Sequence, residues 1–489
     1  MSALATTTTT PPDTKPRESR LALSLPQVWV VVAVALAVAF SIGGLMTVDL
    51  AYQLRAGNLM LATHHFIRTD TFSFTAFGRP WLDQQWGAQV FLAFVFRHLG
   101  WAGLSLAKGV LVGITFSFVY LACRAAGISK RPAAWLTIGS FFVSVTDLAM
   151  RPQLLAAPLF AISLWIVMGR RAHPGRLWAI PAIVAVWANV HGTFWLPLLL
   201  LGLAWVEDRV DKVSGSGRLL GIAAVSALAA NLNPYGFRVW GYVVNISTNP
   251  AIRNTVTEWN PPTVRHFDDA LFFISAVAVA FVLARRGRAT PWPAMLSLGV
   301  FFFLGLTATR NTLWWGLAAP PILAGVLKQD ARPPRRQPAP NVLNTVLVCI
   351  VVIGVALAFP WSLVGKPSDA PGSRVTHAPP GITADLQRVL RPGERVFNAQ
   401  EWGSWFEFAL PRNPSFVDSR IEIFPDSVWR DYNNVSAGKQ GWQAILNRWN
   451  VGAVVLSRTQ QPSLIPFISR DPGWRLQYRN SDGLVFVRR

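Results

Sequence analysis

The chain has 489 residues, 52% of them hydrophobic and only 14% charged, with 22 Trp. This profile belongs to a polytopic membrane protein; a net charge of +21 would suggest nucleic acid in a soluble protein, but here the positive residues sit largely in short loops between apolar runs, where topology explains them. The only cysteines, Cys123 and Cys349, lie inside apolar runs and offer neither a disulfide framework nor a metal site.

Residues 1–26 read as a disordered, basic cytoplasmic tail, with the Thr tract Thr6–Thr10 followed by Lys15, Arg17 and Arg20. The run Gln27–Val48 has the length of a membrane span, which takes roughly 20 residues. It is too long for a signal-peptide core and is kept as a true span. Asp49 stands at its end, where the polar stretch Leu50–Trp86 begins. A carboxylate at that boundary is costly unless it has a partner, a proton or a task, although it also serves simply to end a helix.

Further apolar runs fall near 102–123, 132–148, 153–169, 177–190, 192–206, 218–233, 269–285, 291–308, 312–327 and 341–362. The basic clusters Arg124/Lys130/Arg131, Arg170/Arg171/Arg176, Arg209/Lys212/Arg218, Arg285/Arg286/Arg288 and Lys328/Arg332/Arg335/Arg336 all fit the cytoplasmic side with one parity. That parity puts the N-terminus inside. It puts the 49–100 loop, Met150–Gln153, His191/Gly192, the 234–268 loop, Arg310/Asn311 and everything after Leu363 outside. Gly87–Gly100 is apolar but carries Arg97 and His98, and a full crossing there would invert every later loop. Reading it as an interfacial or re-entrant helix gives about 11 transmembrane helices, with a twelfth as the alternative.

The expected organisation is an α-helical transmembrane domain over 27–363 with a large first outer loop, a linker over 364–380 and an extracytoplasmic soluble α/β domain over 381–489. The last unit shows short apolar bursts at Arg395–Ala399, Phe416–Val417, Ala453–Leu456 and Leu484–Val487, and an amphipathic stretch at Gly441–Trp449.

The first outer loop is denser in acids, bases and aromatics than a connector requires. Group transfer at a membrane surface needs a carboxylate to accept a proton or hold a divalent cation, and cationic donors for a phosphate leaving group. Asp49, with Asp83 or Asp70, fits the first role; Arg55, Arg68 and Arg79 fit the second. An ordered interfacial loop with surface ion pairs is the plainer reading. His64 and His65 diverge as neighbours and make no metal signature. No HExxH, Cys-pair, GxxxxGK or GxSxG pattern occurs, which leaves zinc-hydrolase, P-loop and serine-hydrolase chemistry without support.

Several polar residues in or beside later apolar runs fall on the same side. Lys108, Arg151, His191 and Arg310 together suggest an anion pocket suited to a lipid phosphate. Asp147 and Arg151, four apart, are equally placed for a structural ion pair. In the soluble domain, Asp418 and Arg420 are expected to hold a loop by an ion pair. Trp402, Trp405, Trp429 and Trp442 serve either to stack on sugars or as core.

At these residues the chain resembles the GT-C class of membrane glycosyltransferases, and more closely a bacterial branch of it. The resemblance rests on Asp49–Gly57, Arg68-Thr-Asp70-Thr-Phe-Ser-Phe-Thr75, Gly78-Arg-Pro-Trp81, Trp187-Ala-Asn-Val-His191-Gly, Asn233-Pro-Tyr-Gly236, Glu258-Trp259-Asn-Pro-Pro262 and Phe416-Val-Asp418-Ser-Arg420. It implies a multi-span bundle that takes sugars from polyprenyl-phosphate donors, with Asp49 as base or metal-binding acid and Asp147 as the match for a second acid. Glu258 joins Arg55, Arg68 and Arg79 as a candidate substrate contact. The paired acid of the class is absent, since Leu50 follows Asp49; a divalent cation, Mg or Mn, is the one cofactor to consider.

The expected function is therefore transfer of a sugar from a polyprenyl-phosphate lipid to a glycan, glycolipid or protein acceptor at the outer face of a bacterial inner membrane. The alternative is a non-catalytic scaffold or polysaccharide-export component on the same fold. A transporter is disfavoured by the lack of visible repeats. No nucleic-acid partner is expected.

Overall fold

The computed structural model describes residues 22–45, 47–248, 256–328, 340–365 and 377–489. Most of the expected basic tail, the basic residues Arg332, Arg335 and Arg336, and most of the linker lie outside the described residues.

The helices in chain order are α1 Leu25–Ser41, α2 Leu50–Thr63, α3 Trp86–Ala125, α4 Lys130–Ser144, α5 Pro152–Met168, α6 Ile180–Trp187, α7 Leu196–Val210, α8 Gly217–Ala229, α9 Arg238–Thr248, α10 Phe267–Arg286, α11 Trp292–Thr307, α12 Thr312–Leu327 and α13 Val342–Ala358. Most of them follow the expected apolar runs, whereas α2 and α9 form within stretches expected to be outer loops. Among the described residues, Trp86–Ala125, Asp269–Ala289 and Val342–Leu363 are long and apolar enough to cross a membrane. Leu25–Ser41, Pro152–Met168, Gly217–Ala229 and Trp292–Thr307 are apolar but shorter. The expectation of about 11 spans therefore outruns what helix length supports: α6 has only eight residues, roughly 12 Å at 1.5 Å per residue.

Two departures bear on the site. The first helix stops at Ser41, ahead of Gly43–Gly44, whose lack of side chains weakens a helix. Asp49 consequently does not end the first helix; it is the N-cap of α2. Second, α3 is two helices merged across Gly100, whose φ of 59° breaks the regular backbone. The stretch 86–99 is thus a helix of its own, with Phe91, Phe94 and Leu99 exposed.

Aromatic packing knits the bundle. Phe160 meets Trp314 edge-on at 5.2 Å between ring centroids, and Trp187 lies 6.0 Å from Trp314. Helices α2 and α3 approach closely at Gly57, where an added Cβ would sit 2.1 Å from the Gln89 carbonyl oxygen.

The C-terminal unit is a four-stranded sheet of β1 Arg395–Asn398, β2 Val451–Ser457, β3 Trp474–Arg479 and β4 Gly483–Arg488, in the order β1-β2-β4-β3. β1 and β2 are parallel, and the other pairs are antiparallel. Helices α14 Pro380–Val389, α15 Gln400–Ala409, α16 Asp426–Ser436, α17 Trp442–Arg448 and α18 Ile465–Ile468 accompany it. The apolar bursts at 395, 453 and 484 are strands, whereas Phe416–Val417 is a buried loop.

This domain is fastened to the first loop. Ser73 and Ser415 form a parallel bridge, the Phe74 amide donates to the Ser415 carbonyl at 3.2 Å, and the Thr75 hydroxyl donates to the Phe416 carbonyl. Phe96 and Trp101 of α3 pack on Phe408.

Candidate active site at the bundle–domain junction

A cavity of about 910 Å³ lies where α2, the 81–85 segment, the α5 and α7 N-termini, the 256–259 turn and the C-terminal domain converge. Asp49, Asp83, Arg151, His191, Glu258 and Arg310, all expected from the sequence, line it together.

The cationic side is built from three segments distant in sequence. Arg151, the N-cap of α5, is ion-paired to Glu258, and its Nη2 lies 3.9 Å from Asp147 Oδ1. Asp147 also accepts a hydrogen bond from the Thr312 hydroxyl at 3.0 Å. It is buried and does not line the cavity, so its place is behind Arg151. Arg310 donates from Nη2 to Gln153 Oε1 at 3.1 Å, lies 3.5 Å from His191 Nε2, and packs over the Trp259 ring at 5.1 Å. Gln153 in turn donates to the Arg310 carbonyl at 2.8 Å. Arg310 makes no ion pair among the described residues, which leaves a positive charge facing the cavity.

The acidic side is tuned by burial. Burial, then the nearby Glu258, raises the Asp49 carboxyl above its ordinary range, against Ser419, Arg151 and Arg310. Burial pushes Asp83 up to about 7, despite the hydrogen bond that Gln89 donates to Oδ1 at 2.7 Å. Its other oxygen, Oδ2, is buried without a hydrogen-bond partner, as is Gln84 Oε1. Burial also favours a proton on Glu258, but Arg151 and then Arg310 hold its carboxyl below the usual range.

Sequence reasoning missed the ceiling. Gln400, Ser419 and Glu422 of the C-terminal domain line the same cavity, and burial lifts Glu422 to about 7. Tyr52 and Tyr242 line it too. The Phe416–Arg420 motif was the one signal near this wall, and it led to the neighbouring ion pair instead of to Glu422.

That ion pair is a buried cluster. Arg420 contacts Asp418 at 2.6 Å, Asp70 at 2.8 Å and Glu407 at 3.3 Å, under Trp81 at 4.6 Å and Phe72 at 4.8 Å. Burial, then the adjacent Asp418, drives the Glu407 carboxyl far above its ordinary range, while Arg420 holds Asp418 below its own despite burial. A hydrogen bond between Glu407 and Asp418 contributes to both shifts. Asp70 belongs to this lock between loop and domain. Trp402, Trp405 and Trp442 are buried core, which removes them as sugar-stacking surfaces.

Other candidates are placed elsewhere. Arg68 and Arg79 are exposed outside the cavity lining, because their loop turns inward with Ile67, Asp70 and Trp81. Arg55 points the other way, toward Pro411. Lys108 is buried and donates to the Gly44 carbonyl at 2.7 Å, so it holds the α1–α2 connection and does not join the anion pocket. Among the described residues no three His, Cys, Asp or Glu side chains converge as ligands. Of the acids in this cavity, Glu258 is committed to Arg151.

No protein-family profile and no curated protein sequence matches the chain. Solved structures do. The chain is similar to ArnT from Cupriavidus metallidurans bound to undecaprenyl phosphate, with a TM-score of 0.57 and 15% identity over 94% of this chain and 97% of that one. It is also similar to the apo oligosaccharyltransferase of Archaeoglobus fulgidus, with a TM-score of 0.52 and 12% identity over 95% of this chain and 74% of that one. The chain has the GT-C fold that these two structures share.

Proposed function

We propose that the protein moves a sugar from a polyprenyl-phosphate donor to a hydroxyl of an envelope glycan, lipid or protein, at the extracytoplasmic face of a bacterial inner membrane. The observation that carries this reading is one cavity holding both Asp49, a carboxylate with raised proton affinity, and Arg310, a cation in no close ion pair among the described residues. Its shared fold with a structure bound to undecaprenyl phosphate supports the same donor class.

In this mechanism Asp49 accepts the proton of the acceptor hydroxyl as its oxygen attacks the anomeric carbon. A carboxylate whose proton affinity is raised by burial suits that step. The bond from the anomeric carbon to the phosphate oxygen breaks, and the lipid phosphate leaves with the electron pair. Arg310, with His191 and Gln153 around it, and Arg151 stabilise the charge gathering there. A single displacement inverts the anomeric centre. Asp147 acts at one remove, by positioning Arg151. The unpartnered Asp83 Oδ2 and Gln84 Oε1 are acceptors for sugar hydroxyls, and Glu422 and Ser419 meet the substrate from the domain side.

The test is mass spectrometry of envelope glycans and glycolipids from a deletion strain carrying wild type or Asp49→Asn at equal protein level. A sugar lost in the deletion, restored by wild type and not by Asp49→Asn, supports the reaction and names its product. Equal restoration by both removes Asp49 as base and favours a scaffold on the same fold.

A further inference from the structure

A second cavity, of about 540 Å³, opens where the first loop meets the C-terminal domain. Arg55 from α2, Arg395 at the start of β1 and Arg412 after α15 line it with Phe72, Phe74 and Phe77. None of these three guanidiniums forms an ion pair among the described residues. Arg55 lies 5.8 Å from the Phe72 ring and reaches the Pro411 carbonyl only at 3.5 Å. Arg395 donates to the Trp449 carbonyl at 2.9 Å and packs over Phe74 at 5.1 Å. Arg412 is exposed.

The one acid in this lining is Glu407, which is already 3.3 Å from the Arg420 guanidinium. Three guanidiniums therefore face the cavity, none of them ion-paired to a carboxylate among the described residues. Phe77, 71% exposed, stands at the rim as an apolar face. Guanidinium forks match carboxylate and phosphate oxygens in two-pronged fashion, and a flat ring beside them suits the apolar face of a sugar. The volume falls in the range of about 300–1,000 Å³ that ligand clefts occupy.

We propose that this cavity binds an anionic saccharide, a sugar ring bearing a carboxylate or a phosphate. The inference goes beyond the transfer reaction, because it concerns a separate cavity and needs no assumption about Asp49. It also gives Arg55 a role away from the main cavity. A ligand here lies against Glu407, whose partner Arg420 lines the main cavity 3.3 Å away. Occupancy is thereby adjacent to the lock that holds loop and domain together.

The experiment is isothermal titration of the purified full-length protein in detergent, at low salt, with glucuronate, glucose 6-phosphate, glucose and inorganic phosphate. Both charged sugars are expected to bind at roughly millimolar concentration or tighter, with glucose at least about tenfold weaker. The tighter of the two charged sugars identifies the preferred anionic group. Arg412→Ala should weaken both charged sugars about tenfold. Phe77→Ala should weaken glucose 6-phosphate and leave inorganic phosphate unchanged. Both side chains are exposed, so neither change threatens the fold. No binding, equal binding of glucose, or indifference to Arg412→Ala overturns the site. Equal binding of inorganic phosphate and glucose 6-phosphate with no response to Phe77→Ala leaves a bare anion site and overturns the saccharide. Loss of the transfer reading would leave these measurements standing.

Discussion

Replacing Arg420 with Met keeps roughly the volume of the side chain and removes its charge. In the native chain that charge is 1% exposed and faces Asp70 and Asp418 at 2.8 and 2.6 Å, both fully buried. Asp70 retains hydrogen bonds from the Phe72 and Ser73 amides and the Ser73 hydroxyl. Asp418 keeps its hydrogen bond with Glu407 but loses both of its guanidinium contacts. Breaking a buried pair on one side costs about 3–5 kcal/mol. The loop-to-domain contact should therefore open more often by about a hundredfold to a few thousandfold, at about 1.4 kcal/mol per factor of ten. Hydrogen exchange at the Phe74 amide, which bonds to the Ser415 carbonyl, reads that opening directly.

The pH dependence has a definite sign. In wild type the Asp418 carboxyl is held below its ordinary value, so its stabilisation is present above the unfolded value and lost as pH falls through the folded one. In Arg420→Met the carboxyl is buried without a cation, and its penalty grows as pH rises above about 4. The difference between the two proteins is then largest at neutral pH and shrinks toward acid. An exchange rate in the variant within about twofold of wild type, the scale of an ordinary surface change, would refute the lock.

Three further expectations follow from the same geometry. Arg310→Ala should lower turnover by about 10²–10³, as the loss of a charge-stabilising donor does, whereas Arg68→Ala and Arg79→Ala should leave the rate near wild type in the same glycan assay. Equal losses in all three would return the first loop to the reaction. Infrared difference spectra should show carboxylic-acid carbonyl bands that vanish with midpoints of about 7, diminished in Asp83→Asn and in Glu422→Gln. Because burial raises both folded-state values, these groups favour the fold at low pH and lose that contribution as pH rises through about 7. Gly57→Ala should cost about 1–3 kcal/mol by overpacking, since the new Cβ meets the Gln89 carbonyl at 2.1 Å; unchanged thermal unfolding of the detergent-solubilised protein would exclude that close approach.

Local patterning made the helices legible. Apolar runs near 102–123, 153–169 and 312–327 became α3, α5 and α12 because side-chain polarity along a helix is written in consecutive residues. Three of the four apolar bursts in the C-terminal unit became strands for the same reason. Strand β3 escaped because it is an edge strand, largely exposed, with a polar alternation that resembles a loop. Asp49, Asp83, Arg151, His191, Glu258 and Arg310 were recognisable because ionisable groups are expensive beside apolar segments and stand out there.

Their convergence was a different matter. Nothing local distinguishes Arg310, which faces the cavity, from Lys108, which is spent on the Gly44 carbonyl. Nor does it separate Arg55, Arg68 and Arg79 from the residues that reach the site. Glu422 and Ser419 enter from a domain more than three hundred residues beyond Asp49, by way of a buried arginine that ties that domain to Asp70. Sequence determined most of the segments that would be helix or strand and which polar residues were costly, because both follow from neighbours along the chain. Tertiary structure alone decided which of those residues share a cavity, because burial and charge pairing depend on segments that meet only when the chain is packed.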